Sequence, residues 1–264
     1  MGRAVVTLKK SSKKISTMSS ALDTLYSSPL DKLVDFNFDE KVANVFPDMI
    51  NRSVPGYATI VAMTGILSAE FYQPGTRCYD LGCSLGALAL SMAKAIKDDS
   101  LKIIAVDNSQ AMLQKAQTLI NQSDPVESNA DCIELICDDI NQIDVNNASV
   151  VVMNFTLQFI APEQRSKLLK KIYHGMNQGG ILILSEKLNY NDSSQQQLLI
   201  EMHHCFKKAN GYSDLEITQK RQTIENVLLP ETLEKHKTRL HEAGFKQVEQ
   251  WFQCFNFSSL IAIK

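Results

Sequence analysis

A chain of 264 residues, 44% hydrophobic and 21% charged, is long enough to bury a substantial core and has the composition of a globular protein, which sets aside disordered and membrane classes. A formal charge of −2 gives no overall electrostatic case for nucleic-acid binding, and apolar runs such as Ile181-Leu182-Ile183-Leu184 are strand length, far short of a bilayer span. The six cysteines include no Cys-x-x-Cys pair and the five histidines lack a zinc spacing, so they read as reduced thiols in a cytoplasmic protein without a metal.

Residues 1–22, with Lys9, Lys10, Lys13 and Lys14 among serines, lack both an apolar period and the apolar core of a secretory signal. They read as a disordered tail ahead of a single domain over 23–264. From Asp39 to Ser53, the residues Val42, Val45, Phe46, Met49 and Ile50 have helical spacing, with Pro47 expected to break the helix or start a new one. Val54-Pro55-Gly56 is a turn, and a second helix from Tyr57 carries Ile60, Val61, Met63, Ile66 and Leu67. These two helices are expected to cap the carboxyl end of the first strand.

After the turn Gln73-Pro74-Gly75-Thr76, strand and helix alternate. Strands are expected over Cys78–Leu81, Lys102–Val106, Ile133–Ile136, Val150–Met153 and Ile181–Leu184. Helices are expected from about Gly86 to Ile96, from Met112 to Ile120 with Ser109 as cap, and from Pro162 to Met176 closed by Gly179-Gly180. That alternation predicts a doubly wound α/β fold on a parallel sheet. Ser193 to Asn210 reads as a helix, and a second short helix surrounds Lys220-Arg221, so residues 193–228 form a helical insertion suited to a lid or partner surface. In the adjacent pair His203-His204, side chains about 100° apart on a helix put one inside and one outside. A helix from Thr232 to Ala243 stops at Gly244, and Phe245–Trp251 with Phe257–Ile263 form an antiparallel hairpin that completes seven strands.

In such a sheet, ligands sit beyond the carboxyl ends of the strands. Those ends carry polar residues in series here: Gly82-Cys83-Ser84, Asp107-Asn108, Asp139 and Asn154. Asp107 lies 25 residues beyond Gly82, close to the spacing at which a carboxylate reaches ribose hydroxyls, although Asp107-Asn108 reads equally as a solvated turn before a capped helix. Asp139-Ile140 suits an adenine, the carboxylate accepting from its amino group and the isoleucine covering its face; Asp138 and Asp139 also suit a surface turn. A dinucleotide site needs a second glycine where the pyrophosphate approaches, and Gly82-Cys83-Ser84-Leu85-Gly86 has serine at that position. A nucleoside without phosphate, such as S-adenosylmethionine, fits better, and the terminal hairpin agrees with the methyltransferase variant of this fold. Cys83 has no basic partner nearby in sequence, which argues against a catalytic thiolate.

The runs Val45-Phe46-Pro47-Asp48-Met49-Ile50, Arg52-Ser53-Val54-Pro55-Gly56-Tyr57, Tyr79-Asp80-Leu81-Gly82-Cys83-Ser84-Leu85-Gly86 and Asn154-Phe155-Thr156-Leu157-Gln158-Phe159 resemble the carboxy-S-adenosylmethionine synthase family. So do Lys208-Ala209-Asn210-Gly211-Tyr212-Ser213, Gln219-Lys220-Arg221 and Trp251-Phe252-Gln253-Cys254-Phe255-Asn256-Phe257, so that the likeness covers the chain from about Thr24 to its end. The resemblance implies an enzyme that takes S-adenosylmethionine and prephenate, attaches a carboxyl group to the sulfonium methyl carbon and releases phenylpyruvate. Its product serves a second enzyme that modifies the wobble uridine of tRNA, so the chain itself need not touch nucleic acid or membrane.

By the same resemblance, Tyr57, Gly82, Cys83, Ser84, Asp107, Asn108, Asp139, Ile140 and Asn154 hold the adenosyl ligand, Arg221 binds the added carboxylate, and the protein is a homodimer. A guanidinium grips a carboxylate through two parallel hydrogen bonds, which explains an arginine there; on the residues alone, Arg221 reads as an exposed helix cation. Lys207-Lys208 stands where the resemblance leads one to expect lysine followed by arginine. No side chain is assigned as general base, because proximity and exclusion of water suffice for a methyl acidified by its sulfonium to capture the carbon dioxide that prephenate loses.

Overall fold

The computed structural model describes residues 21–30, 32, 34–124 and 129–264; the lysine-rich stretch up to residue 20 lies outside them. Seven strands form one sheet: β1 (Arg77–Leu81), β2 (Lys102–Asp107), β3 (Ile133–Cys137), β4 (Ala148–Asn154), β5 (Met176–Lys187), β6 (Gln247–Cys254) and β7 (Phe257–Ile263). Their order is β3-β2-β1-β4-β5-β7-β6, the first five parallel and β7 antiparallel to both of its neighbours. This is the expected doubly wound sheet with its antiparallel terminal hairpin.

Because successive residues of a strand face opposite sides, β1 and β4 feed two cores. On one face Cys78, Val150 and Val152 pack with Leu88, Ala89 and Met92 of helix α3 (Ala87–Ala95) and with Val61, Leu67 and Phe71 of α2 (Tyr57–Phe71). On the other, Tyr79, Leu81, Val151 and Met153 meet Leu168, Leu169 and Ile172 of α5 (Pro162–Gly175) and Leu240 of α8 (Leu233–Ala243). A fully buried Val, Leu, Ile or Met among them contributes roughly 1.5–3 kcal/mol. The central strands are covered on both faces, hence their nearly continuous apolar runs.

Two expectations fail in instructive ways. Pro47 does not break the first helix: α1 runs unbroken over Glu40–Ser53 with Pro47 inside it. Its missing N–H forfeits one turn of backbone bonding, but Val42, Val45 and Met49 lock the helix onto Met112 of α4 (Gln110–Gln122) and onto Leu85. Gly179-Gly180 does not close α5 either. The helix ends at Gly175, Met176 already pairs with Ala148, and the two glycines lie inside β5, where the register shifts. Gly179 has φ +75°, and a Cβ on Gly180 would lie 2.9 Å from the Ser149 carbonyl, so the pair makes a bulge in the strand.

The insertion forms two helices, α6 (Ser193–Ala209) and α7 (Asp214–Ile224). The chain ahead of α1 is laced to α7: Gln219 accepts the Leu30 N–H at 2.7 Å and donates to the Tyr26 and Ser28 carbonyls, and the Phe36 N–H reaches the Thr223 carbonyl. Strap, α1, α6 and α7 together roof the carboxyl ends of the parallel strands. No single helix among the described residues is long and apolar enough to cross a membrane.

Candidate active site

Under this roof lies a cavity of about 660 Å³, within the range of roughly 300–1,000 Å³ usual for small-molecule sites. It opens over β1 and β4, between which the strand order reverses, the position where doubly wound sheets bind ligands. Nine residues singled out from the sequence line it together: Tyr57, Gly82, Cys83, Ser84, Asp107, Asn108, Asp139, Ile140 and Asn154.

Local structure explains their positions. Gly82 has φ +83°, and a Cβ there would lie 2.3 Å from the Thr156 side chain, so only glycine lets the loop after β4 cross the turn after β1. Ser84 and Phe155 are held at φ +51° and +59°, a left-handed conformation uncommon for non-glycine residues, and both line the cavity. The Asp107 carboxylate accepts the Ser84 N–H at 2.8 Å and the Ser109 N–H at 2.9 Å, one on each oxygen, leaving lone pairs on both. Burial pushes its pKa up while those two N–H groups pull it down.

Asp139 accepts the Asn141 N–H at 2.9 Å beside the buried Ile140. Asn154 Oδ1 is buried with no hydrogen-bond partner among the described residues, an acceptor left for a ligand donor. Burial and the nearby Asp80 hold the Tyr57 hydroxyl protonated. Burial, Asp80 and Asp107 likewise push the Cys83 thiol well up, so it is not a thiolate. Asp80 itself lies outside the lining; it is buried, accepts the Ala89 N–H at 3.1 Å at the start of α3, and is pushed up to about 7 by desolvation.

The other end of the cavity is cationic, and sequence reasoning missed it. Lys187 from the end of β5, Lys207 and His203 from α6, and Lys220 from α7 all line the wall. β5 lies three strand steps from β2, roughly 14 Å across the sheet from Asp107. His203 is the buried member of its pair; Nε2 is 2.8 Å from the Ser53 carbonyl, and desolvation keeps the ring neutral. Burial lowers Lys187 and Lys220 to about 8 and Lys207 to about 7. Lys207 and Lys220 lie in stretches singled out for their neighbours Lys208 and Arg221, and Lys187 in none, so only the assembled fold brings the three together.

Arg221, expected from the resemblance to bind the added carboxylate, is not among the residues that line this cavity. Lys220 takes the inward face of α7, and the next residue on a helix points about 100° away; the Arg221 side chain is half exposed, its Nε 3.8 Å from Glu225. Its charge is still felt by Lys187, Lys207 and His204, which puts it at the rim of the cationic end. Lys208 also points outward, its Nζ 2.6 Å from Asp214, so the departure at Lys207-Lys208 falls outside the cavity.

A family profile described as "Methyltransferase domain" matches residues 79–180. The carboxy-S-adenosyl-L-methionine synthase of Trichlorobacter lovleyi is 55% identical over 94% of this chain and 100% of its own length. That of Escherichia fergusonii is 55% identical over 92% of this chain and 96% of its own. The chain belongs to the carboxy-S-adenosyl-L-methionine synthase family. Solved structures share the fold: human N-acetylserotonin methyltransferase in complex with SAM has a TM-score of 0.55 at 18% identity, covering 85% of this chain and 55% of that one. Magnesium protoporphyrin IX methyltransferase from Synechocystis with bound SAH also scores 0.55, at 17% identity over 78% of this chain and 82% of that one.

As a member of that family, the chain is an enzyme of S-adenosylmethionine chemistry on a methyltransferase fold. The cavity has the chemistry such a ligand needs: Asp107 keeps lone pairs free on both oxygens, Asn154 Oδ1 is an acceptor left unpaired among the described residues, and Ile140 offers an apolar face.

Proposed function

We propose that the enzyme converts S-adenosylmethionine and prephenate into carboxy-S-adenosylmethionine and phenylpyruvate, supplying the donor for carboxymethylation of hydroxylated wobble uridine in tRNA. The observation that carries this reading is the polarity of one continuous cavity, with acceptors at the ends of β2, β3 and β4 and, at the other end, Lys187 from β5, Lys207 from α6 and Lys220 from α7. A neutral methyl acceptor gives no reason to leave the ammonium groups of Lys187 and Lys207 beside a cationic sulfonium without a counter-ion among the described residues. An anionic co-substrate does.

The reaction balances without a further reagent. A carbon–carbon bond forms between the sulfonium methyl carbon and the carboxyl carbon of prephenate, whose ring aromatises as its carboxyl bond breaks. The methyl proton and the departing ring hydroxide leave together as water. The chain's part is to hold the two substrates in register and keep bulk water out. Cys83, held protonated, takes no part as a nucleophile. The adenosyl ligand is assigned to Tyr57, Gly82, Cys83, Ser84, Asp107, Asn108, Asp139, Ile140 and Asn154, and the added carboxylate to Arg221 reaching in from the rim. Family resemblance supports a cytoplasmic homodimer that needs no direct contact with nucleic acid or membrane.

The test is to incubate the purified protein with both substrates and follow products by mass spectrometry. A carboxylated sulfonium formed in step with phenylpyruvate supports the reading. S-adenosylhomocysteine in place of the carboxylated sulfonium makes the chain a methyltransferase, and ligand-bound protein that turns over neither substrate makes it a binding protein; either outcome rejects the synthase reading.

A further inference from the structure

Of the three lysines that line the cavity, one is structurally accounted for and two are not. Lys220 Nζ donates to the Ser53 hydroxyl at 3.2 Å and lies 4.0 Å from the buried Asp23 carboxylate. Asp23 in turn accepts from the Tyr212 hydroxyl, so Lys220 ties the strap to α1 and α7. Among the described residues, the ammonium groups of Lys187 and Lys207 have no hydrogen bond and no ion pair. The one contact of note is the Phe257 ring, 6.0 Å from Lys187 Nζ. The charged groups acting on Lys207 are Lys220 and Arg221 from α7 and Lys187 from β5, all cations. His203, neutral and committed to the Ser53 carbonyl, adds no compensating charge.

A desolvated cation without a counter-ion is costly, and two side by side are more so. A fold retains such a pair when a ligand brings the missing anions. Resting on the prephenate reading above, we propose that Lys187 and Lys207 are the anchors for the two carboxylates of the second substrate and set its specificity for a dianion. Lys220 is a positioning residue that fixes the roof above them. The ammonium groups suit this task as point charges that accept a carboxylate from several directions, which leaves the reacting carboxyl free to turn as it departs.

The experiment compares Lys187→Met and Lys207→Met, singly and together, with wild type, since methionine keeps the apolar stem and removes the charge. Each single variant should raise KM for prephenate about ten-fold or more, with the double variant weaker still and S-adenosylmethionine affinity by calorimetry within about two-fold of wild type. Lys207→Arg should recover part of the loss, and Lys208→Met, on the outer face of α6, should behave as wild type. Given a wild type that turns over, unchanged KM for prephenate in the variants would overturn the anchors and leave the synthase reading intact. Should wild type give no carboxylated product, prephenate titrated into the protein loaded with S-adenosylmethionine still decides. Binding lost in the double variant supports the anion site, and equal binding, or none to wild type, rejects it.

Discussion

Asp107 and Arg221 differ in what made them legible. Asp107 was half readable: its position at the end of a strand, a fixed distance from a glycine turn, suits a ribose site and a solvated turn equally, and the structure places it in the cavity lining with a backbone donor on each carboxylate oxygen. Asp107→Asn leaves an amide facing two N–H donors with a single acceptor oxygen, so S-adenosylmethionine affinity should fall about 10- to 100-fold by calorimetry; a change under two-fold would remove Asp107 from the ribose site. Arg221 was readable only through resemblance, and its rim position gives a sharper test. Arg221→Ala should weaken carboxy-S-adenosylmethionine binding at least about ten-fold more than S-adenosylmethionine binding, and equal losses would deny it the carboxylate. Burial, with Arg221 beside Lys187 and with Lys220, Lys187 and Arg221 beside Lys207, lowers the two ammonium groups to about 8 and about 7, and no carboxylate among the described residues offsets either shift. Only their protonated forms attract an anion, so KM for prephenate should rise as pH increases from about 6.5 to 9, whereas S-adenosylmethionine affinity, set at the Asp107 end, should not follow that curve.

Elements were legible where one rule dominated and misread where two competed. The five parallel strands and the final hairpin follow from β-rich runs bounded by turns, and each overlaps its expected place, although β5 starts five residues earlier than expected and runs over twelve residues instead of four. Pro47 pitted local backbone chemistry against the buried stripe Val42, Val45 and Met49, and packing won. Gly179-Gly180 looked like a helix stop because glycine ends helices more often than it interrupts strands; the deciding contact, the close Ser149 carbonyl, is distant in sequence. The start of α7 carried a local signal that was passed over: Ser213 and Glu216 form a reciprocal capping box, with Ser213 Oγ accepting the Glu216 N–H at 3.3 Å and Glu216 accepting the Ser213 N–H at 2.7 Å. Because α7 carries Lys220 and sits at the roof, Ser213→Ala should cost about 1 kcal/mol, read as a loss of roughly 2–4 °C in Tm. With the proposed adenosyl site at the strand ends, S-adenosylmethionine affinity should be nearly untouched; a loss comparable to that of Asp107→Asn would mean that the roof, not the sheet, sets adenosyl binding.

At the scale of the molecule, the cationic end is assembled from positions that only the tertiary fold unites: the end of β5, one face of α6 and one face of α7, with the strap holding α7 through Gln219 and Asp23. Such an arrangement should burden the free protein, and the burden has a definite pH dependence. Lys207 has its folded pKa lowered from 10.5 to about 7. Between those values the unfolded chain binds a proton that the folded chain has released, so stability rises with pH across that window, and below about 7 the full penalty is present. Lys207→Met removes the penalty. The variant should therefore melt a few degrees above wild type near pH 6.5, at roughly 2–4 °C per kcal/mol, and the gap should close as pH approaches 10. Saturating prephenate should reverse the order at pH 6.5, because its carboxylates neutralise the lysine in wild type and find no partner in the variant. A variant that melts at or below wild type without ligand at pH 6.5 would show that Lys207 already has a counter-ion in the folded chain, and the dianion would then have to be held elsewhere.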